Sequence, residues 1–322
     1  MKIEDMMSKY SHRHLSLISG KLLGDGGFSI QPKRKPRTRF MHCRKDQDWC
    51  YCCYTQLKDP LRLNAPVYKK VIDPRLVKGY SESYYVQSLS SELSTVMQPL
   101  WYQGKKKVIP FEFLADTLTP ECLAWWYQDD GHLKAENGKL KKVILSSESF
   151  SIEENNELIK LINSKFSIIF TSDKQNRLLI YDLPQIYYFL RLVRPYIHPS
   201  MNRKLFFPSP KIIAQNKRTT IYLPSHFINN RPTKEIDEAL CRSLNHLKNL
   251  LESDLTYFPF MKELFTRKNE TIPLKGFQIG LSGSHMTTIN KIQLCTGLQK
   301  STIVQLCFLF KKLKGLQQMP ES

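Results

Sequence analysis

Leu17-Ile18-Ser19-Gly20-Lys21-Leu22-Leu23-Gly24-Asp25-Gly26 and Leu123-Ala124-Trp125-Trp126-Tyr127-Gln128-Asp129-Asp130-Gly131 each read as an apolar helix running into an acid and a glycine. A single Asp-Gly after a helix is usually a turn. Two copies about a hundred residues apart imply a duplicated unit with equivalent carboxylates at equivalent helix ends. The chain carries 48 basic against 29 acidic residues, a net charge of +19. Such a surplus points to a polyanion, because Lys and Arg that neutralise phosphates release counterions. Paired acids in that setting suggest metal-dependent chemistry on a phosphodiester backbone.

The sequence around each motif repeats as well. Thr119-Pro120-Glu121 supplies an N-cap, a proline at the first helical position and an acid in the first turn of the second motif helix. A basic extended stretch, Arg37 to His42, and a helix beginning near Asp46 follow the first motif. The strand-like Lys141 to Ser147 and a helix from Ser151, opened by the capping box Ser151-Ile152-Glu153-Glu154, follow the second. Phe166 to Phe170 and Leu178 to Tyr181 read as a hairpin, and Pro184 to Arg194 as a closing helix. The repeating unit is therefore helix, two strands, helix, two strands, helix, used twice over residues 11 to about 207.

Pro208 to Arg218 reads as a basic linker. Beyond it, Thr219 to Pro224 is a short strand and Thr233 to Glu252 a helix. Phe277 to Ser282 is a second strand, followed by helices at His285 to Cys295 and Lys300 to Lys312. These are readable as two copies of one small unit. No run of about 18 apolar residues spans a bilayer, and the start lacks the plan of a signal peptide. A soluble intracellular protein with no membrane partner is expected. The eight cysteines show no pair of CxxC knuckles and read as reduced, mostly buried thiols.

The paired motifs resemble those of the LAGLIDADG homing endonucleases, in the group that carries both copies in one chain. Gly104 to Pro110, Leu118 to Trp126 and Arg194 to Met201 resemble that group further. The resemblance implies an α+β fold: a duplicated αββαββα pseudo-twofold core with two DNA-binding β-saddles, followed here by a small, mainly helical C-terminal domain. The expected divisions are 1–104 and 105–207 for the two halves, 208–218 for the linker and 219–322 for the tail. Asp25 and Asp130 would hold the divalent cations, Mg2+ or Mn2+, as catalytic ligands, with Asp129 accessory or structural. Lys204 is the candidate basic residue near the cleavage centre. Trp125, where the signature often has glycine, implies that the helix pair need not pack symmetrically. His42 stands where many relatives have a glutamine.

Alternate side chains of a strand share one face, so every second residue can reach base edges. Lys33, Arg34, Arg37 and Arg39 are the candidate DNA contacts of the first half, and Lys134, Lys139, Lys141 and Arg177 those of the second. Between Gln31 and Lys45 there are seven basic residues and no acid. The tail resembles ribbon-helix-helix DNA-binding units, with Thr220, Tyr222 and Gln278 facing bases. The expected function is a monomeric, site-specific double-strand DNA endonuclease. The alternatives are a maturase acting on intron RNA on the same fold, or a transcriptional regulator with a degenerate nuclease domain.

Overall fold

A computed structural model of the protein describes residues 3–208, 216–266 and 273–316. They form two compact units, one of residues 1–181 with 189–206 and the other of 182–188 with 207–322. Residues 209–215 of the expected linker, and the last six residues of the tail, lie outside the described residues.

In the first half, α1 (Ile3–Lys9) and α2 (His12–Leu23) precede β1 (Gly27–Ser29), β2 (Arg37–Cys43), α3 (Gln47–Leu61), β3 (Val67–Ile72), β4 (Tyr80–Gln87) and α4 (Glu92–Trp101). A small hairpin, β5 (Tyr102–Gln103) and β6 (Lys106–Lys107), leads through α5 (Phe111–Thr117) to the second half. That half contains α6 (Pro120–Asp130), β7 (Gly131–Glu136), β8 (Lys139–Leu145), α7 (Ile152–Phe166), β9 (Thr171–Ser172), β10 (Leu178–Ile180) and α8 (Leu183–Val193). Each half holds a four-stranded antiparallel sheet, ordered β1-β2-β4-β3 in the first and β7-β8-β10-β9 in the second. Equivalent strand orders from successive segments establish the duplication. The fold is α+β.

The motif helices pack against each other at the centre. From Leu15 to Leu23 every residue of α2 is buried, and so is Cys122 to Gln128 of α6. A helix buried all round cannot rest on one amphipathic face, and the sequence meets this with small and hydroxyl residues at the crossing. A Cβ on Gly20 would stand 2.5 Å from the Cys122 carbonyl oxygen and 2.9 Å from the Trp125 Cβ, so the backbones approach only because Gly20 has no side chain. Ser16 hydrogen-bonds the hydroxyl of Thr119, the N-cap of α6, at 2.6 Å, and Ser19 that of Thr117, the last residue of α5, at 2.8 Å. The packing is unequal, as Trp125 implies: Gly20 meets a tryptophan, whose ring lies 5.1 Å from that of Trp49, edge to face. Gly20→Val is expected to lower stability by about 1–3 kcal/mol through overpacking, measurable by chemical denaturation. An unchanged midpoint would mean that the helices do not touch there.

Local signals behave as read. Thr119 accepts from the Cys122 N–H, and Ser151 and Glu154 complete the capping box. Trp125 and Trp126 are core residues. All eight cysteines are free, but they are less buried than expected: Cys50, Cys53, Cys122 and Cys307 are buried, Cys52 is half-buried, and Cys43, Cys241 and Cys295 are exposed.

The C-terminal unit contains β11 (Lys217–Pro224), α9 (Pro232–Glu252), α10 (Asp254–Thr266), β12 (Leu274–Leu281), α11 (Gly283–Thr296) and α12 (Lys300–Leu316). It is thus a strand and two helices, twice. The two strands pair antiparallel over their full eight residues, with Thr220 opposite Gln278 and Tyr222 opposite Gly276. Ile221, Leu223, Phe277, Ile279 and Leu281 are buried beneath this ribbon. No helix among the described residues is long and apolar enough to cross a membrane.

Candidate active site at the paired helix ends

The two motif helices end side by side, and their last residues interlock. A Cβ on Gly24 would fall 2.7 Å from the Asp129 Cβ, so the Asp129 side chain fills the room that this glycine leaves. Asp129 then accepts a hydrogen bond from the Asp25 backbone N–H at 3.2 Å. Its carboxylate is wholly buried and meets the Lys21 ammonium at 2.9 Å, the lysine itself being only 2% exposed. The Trp49 indole N–H donates to it at 2.8 Å. Burial alone would push Asp129 up, but Lys21 beside it, with the Trp49 donor, holds it below the usual carboxylate range. Burial opposes the charge on Lys21 too, and the Asp129 carboxylate outweighs it, keeping the lysine above its ordinary value. Asp129 is structural, with each of its oxygens taken by donors.

Lys21 also orients His42. Its ammonium lies 2.7 Å from His42 Nε2, and an ammonium can only donate, so Nε2 accepts and Nδ1 carries the proton. That Nδ1 faces Asp25 Oδ2 at 3.3 Å. Burial and the neighbouring lysine bring the His42 pKa down to about 3, so the imidazole is neutral. The chain Lys21, His42, Asp25 thus fixes the orientation of the first motif acid.

Asp25 and Asp130 differ from Asp129 in having no such neutralising partner at hydrogen-bond distance. Burial, with repulsion from Asp129, raises Asp25 to about 6. Burial, with repulsion from Asp25 and Asp129, raises Asp130 to about 7. Crowded hard-oxygen donors that repel one another are a donor set suited to a small divalent cation. Asp25, His42 and Asp129 also place donor atoms within 4.8 Å of one another. The Lys21 ammonium already occupies the face of Asp129 in that group, which leaves Asp25 and Asp130 as the carboxylates open to a metal.

Two lysines flank these acids in matching ways. Lys204 donates to the carbonyls of Tyr127, Gln128 and Asp129, at 3.0 Å for Tyr127 and 3.2 Å for Asp129. Lys107 donates to the carbonyls of Gly24 and Gly26, at 3.2 and 2.9 Å. Each ammonium sits on the carbonyls at the end of one motif helix, where the helix dipole favours a cation. Burial lowers each to about 8, against the pull of nearby aspartates. The segment bearing Lys204 is pinned by the Tyr127 hydroxyl, which donates to the Lys204 carbonyl at 2.6 Å. Gln128 holds it too, accepting from the His198 N–H at 2.7 Å. Lys107 lies in the run Lys105-Lys106-Lys107, inside the Gly104 to Pro110 stretch that carries part of the resemblance. The signal that distinguishes it is position: each lysine follows the last helix of its half.

The candidate DNA contacts lie on or beside the sheets. Lys33, Arg34 and Arg39 are exposed and Arg37 half-buried, while the alternate β2 residues Thr38, Phe40 and His42 point into the core. Lys134, Lys139 and Lys141 are exposed. Lys134 pairs with Glu136 at 2.8 Å, and Arg177 is held by Asp173 at 2.7 Å across the β9–β10 turn. All six residues of β3 are exposed, and Lys69 and Lys70 stack over Tyr85 and Tyr80 at 4.0 and 4.1 Å. Thr220, Tyr222 and Gln278 share the exposed face of the C-terminal ribbon.

Comparison with known proteins agrees with this geometry. The chain is 34% identical over 110 residues to a probable intron-encoded endonuclease 1 of Wickerhamomyces canadensis, covering 33% of this chain and 47% of that protein. It is 27% identical over 112 residues to the intron-encoded endonuclease ai4 of Dictyostelium discoideum, covering 33% of this chain and 66% of the relative. The matches therefore span about half to two thirds of those relatives. The structure of the homing endonuclease I-WcaI bound to its DNA recognition sequence superimposes with a TM-score of 0.53 at 22% identity, over 64% of this chain and 93% of that one. That likeness concerns the fold. The model of the LAGLIDADG DNA endonuclease family matches residues 15–185, more than half of the chain, and the protein belongs to that family.

Proposed function

We propose that the chain is a site-specific double-strand DNA endonuclease that hydrolyses two phosphodiesters facing each other across the minor groove of a long site. The observation that carries this reading is the matched pair of helix ends, each with a high-pKa acid and a lysine on its terminal carbonyls. Two strands present two phosphates related by a local twofold, and a duplicated site offers one acid and one lysine to each.

Asp25 and Asp130 would hold Mg2+ or Mn2+, which would supply Lewis-acid activation and charge neutralisation when bound. The residues of the chain do the rest. Lys107 and Lys204, held at the rim of the acids, lie where negative charge grows on a phosphate under attack. His42, fixed by Lys21, orients the Asp25 carboxylate. Exposed Lys33, Arg34, Arg37, Arg39, Lys134, Lys139 and Lys141 bind the duplex beside the sheets. Arg177 contributes while clamped to Asp173. The C-terminal ribbon adds a second contact, inserting Thr220, Tyr222 and Gln278 into a major groove. The chain acts as a monomer, since both motifs are in one polypeptide.

Lys107→Ala and Lys204→Ala are each expected to slow cleavage by about 10²–10³-fold while leaving DNA affinity within a few-fold. Single-turnover rates and gel-shift titrations separate the two effects. Equal loss of rate and affinity would reassign the lysines to simple phosphate binding. The reading as a whole is tested by incubating the full chain with Mg2+ and a plasmid library of randomised sites. Recovery of one long linearised site is the expected result, and intact plasmid at every site would refute it.

A further inference from the structure

We propose that Asp237, Cys241 and His285 form a binding site for a zinc-class divalent ion that ties helix α9 to helix α11 in the C-terminal unit. Asp237 and Cys241 stand four residues apart on α9, so they lie one above the other on the same helix face. His285 lies in the first turn of α11, fixed there by Ser282, whose side chain accepts from the His285 N–H. One donor atom from each of the three residues lies within 4.8 Å of the others.

The three side chains are close enough to converge on a small ion. Cys241 Sγ stands 3.7 Å from His285 Nε2, and His285 Nδ1 stands 3.1 Å from Asp237 Oδ1. The two partners face different nitrogens of one ring, and an ion takes only one of them, so binding turns a side chain within this cluster to bring the donors to the spacing of about 3.3–3.6 Å set by a tetrahedral zinc. His285 Nδ1 is buried and has no hydrogen-bond partner, although the Asp237 oxygen is near. A buried nitrogen left without a partner costs free energy, and a metal ion between it and the carboxylate would relieve that cost. Sulfur, imidazole and carboxylate together select a borderline-soft ion over Mg2+, which takes oxygen ligands. The set is unlike the oxygen donors Asp25 and Asp130, and the inference does not rest on the nuclease reading.

Three protein ligands leave a fourth position for water. Binding would displace the thiol proton of Cys241 to solvent. Because α9 follows β11 and α11 follows β12, the ion would join the two strand-helix-helix copies whose strands form the ribbon. It is thus a staple for the face that carries Thr220, Tyr222 and Gln278.

The test is a Co2+ titration of the full chain after chelator treatment. One equivalent with thiolate-to-cobalt charge-transfer absorption is expected, displaced by Zn2+. Cys241→Ser removes that absorption, and His285→Ala and Asp237→Asn each weaken binding by at least about tenfold. Zn2+ raises the melting temperature of the native chain and not of Cys241→Ser, while the two melt together in chelator. The Asp25→Asn, Asp130→Asn double variant keeps the absorption, which separates this site from the acids of the motif helices. A native chain without the absorption, or a Cys241→Ser chain that retains it, overturns the proposal. Should Cys241→Ser fail to fold, an unchanged Zn2+ affinity in the exposed Asp237→Asn variant overturns it equally.

Discussion

Lys21→Met is expected to destabilise the N-terminal unit by about 3–5 kcal/mol, the cost of leaving a buried carboxylate without its counter-ion. Lys21 and Asp129 have side chains 2% and 0% exposed, so neither can turn to water when its partner is lost. Methionine matches the lysine stem in volume, which isolates the charge from the packing. The loss has a second component, since His42 Nε2 then faces Asp129 Oδ1 at 3.8 Å with no ammonium between them. The double variant Lys21→Met, Asp129→Leu should recover much of the stability, as an apolar pair does when it replaces a buried ion pair. The pH dependence has a defined sign. Asp129 lies below its unfolded value, so its contribution is present above about pH 4 and is lost as pH falls further. Lys21 lies above its unfolded value, so its contribution is present below about pH 10 and is lost only in strong alkali. Urea melts of the native chain and both variants at neutral pH measure this. A Lys21→Met chain as stable as native would show that Asp129 is neutral or hydrated.

The second large effect is on catalysis. Asp25→Asn and Asp130→Asn are each expected to reduce double-strand cleavage by about 10³-fold or more, because each removes an acceptor that would hold the divalent ion. The same substitutions should not lower stability at neutral pH. Asp25 and Asp130 have folded pKa values of about 6 and 7, above the unfolded range. Such groups bind more protons folded than unfolded, so stability rises as pH falls through 7 toward 4, and ionising them at higher pH is a cost. Asparagine removes that cost, and the variants should melt at or above the native temperature at pH 8. A variant that loses both activity and melting temperature would make these acids structural. Asp129→Asn is the contrasting control. It weakens the pair with Lys21 and should lower the melting temperature.

Much of this site is legible in the sequence, and the unread part has a physical cause. Asp25 and Asp130 sit at the ends of short, locally signalled helices, with Thr119-Pro120 setting the start of one of them. The capping box at Ser151 places α7 in the same way. By contrast β3 shows no alternation of apolar and polar residues, because all six of its residues are exposed. Helix α10 carries a weak amphipathic pattern and an internal Pro259, so nothing in its own sequence marks it as a helix. Lys107 depends on a hairpin that brings it to the first motif helix from about eighty residues away. Lys21 could have been suspected as a cation inside an apolar helix. Its partner lies on the other motif helix, and only the crossing of the two helices at Gly20 brings them together.

In this mechanism one cleft cuts two strands. The most direct measurement labels each strand of the recovered site separately and maps the products of the full chain in Mg2+. One cut on each strand is expected, the two facing each other across a single minor groove, with no linear product from either Asp25→Asn or Asp130→Asn. Cutting of one strand alone by the native chain, or linear product surviving both substitutions, would contradict it.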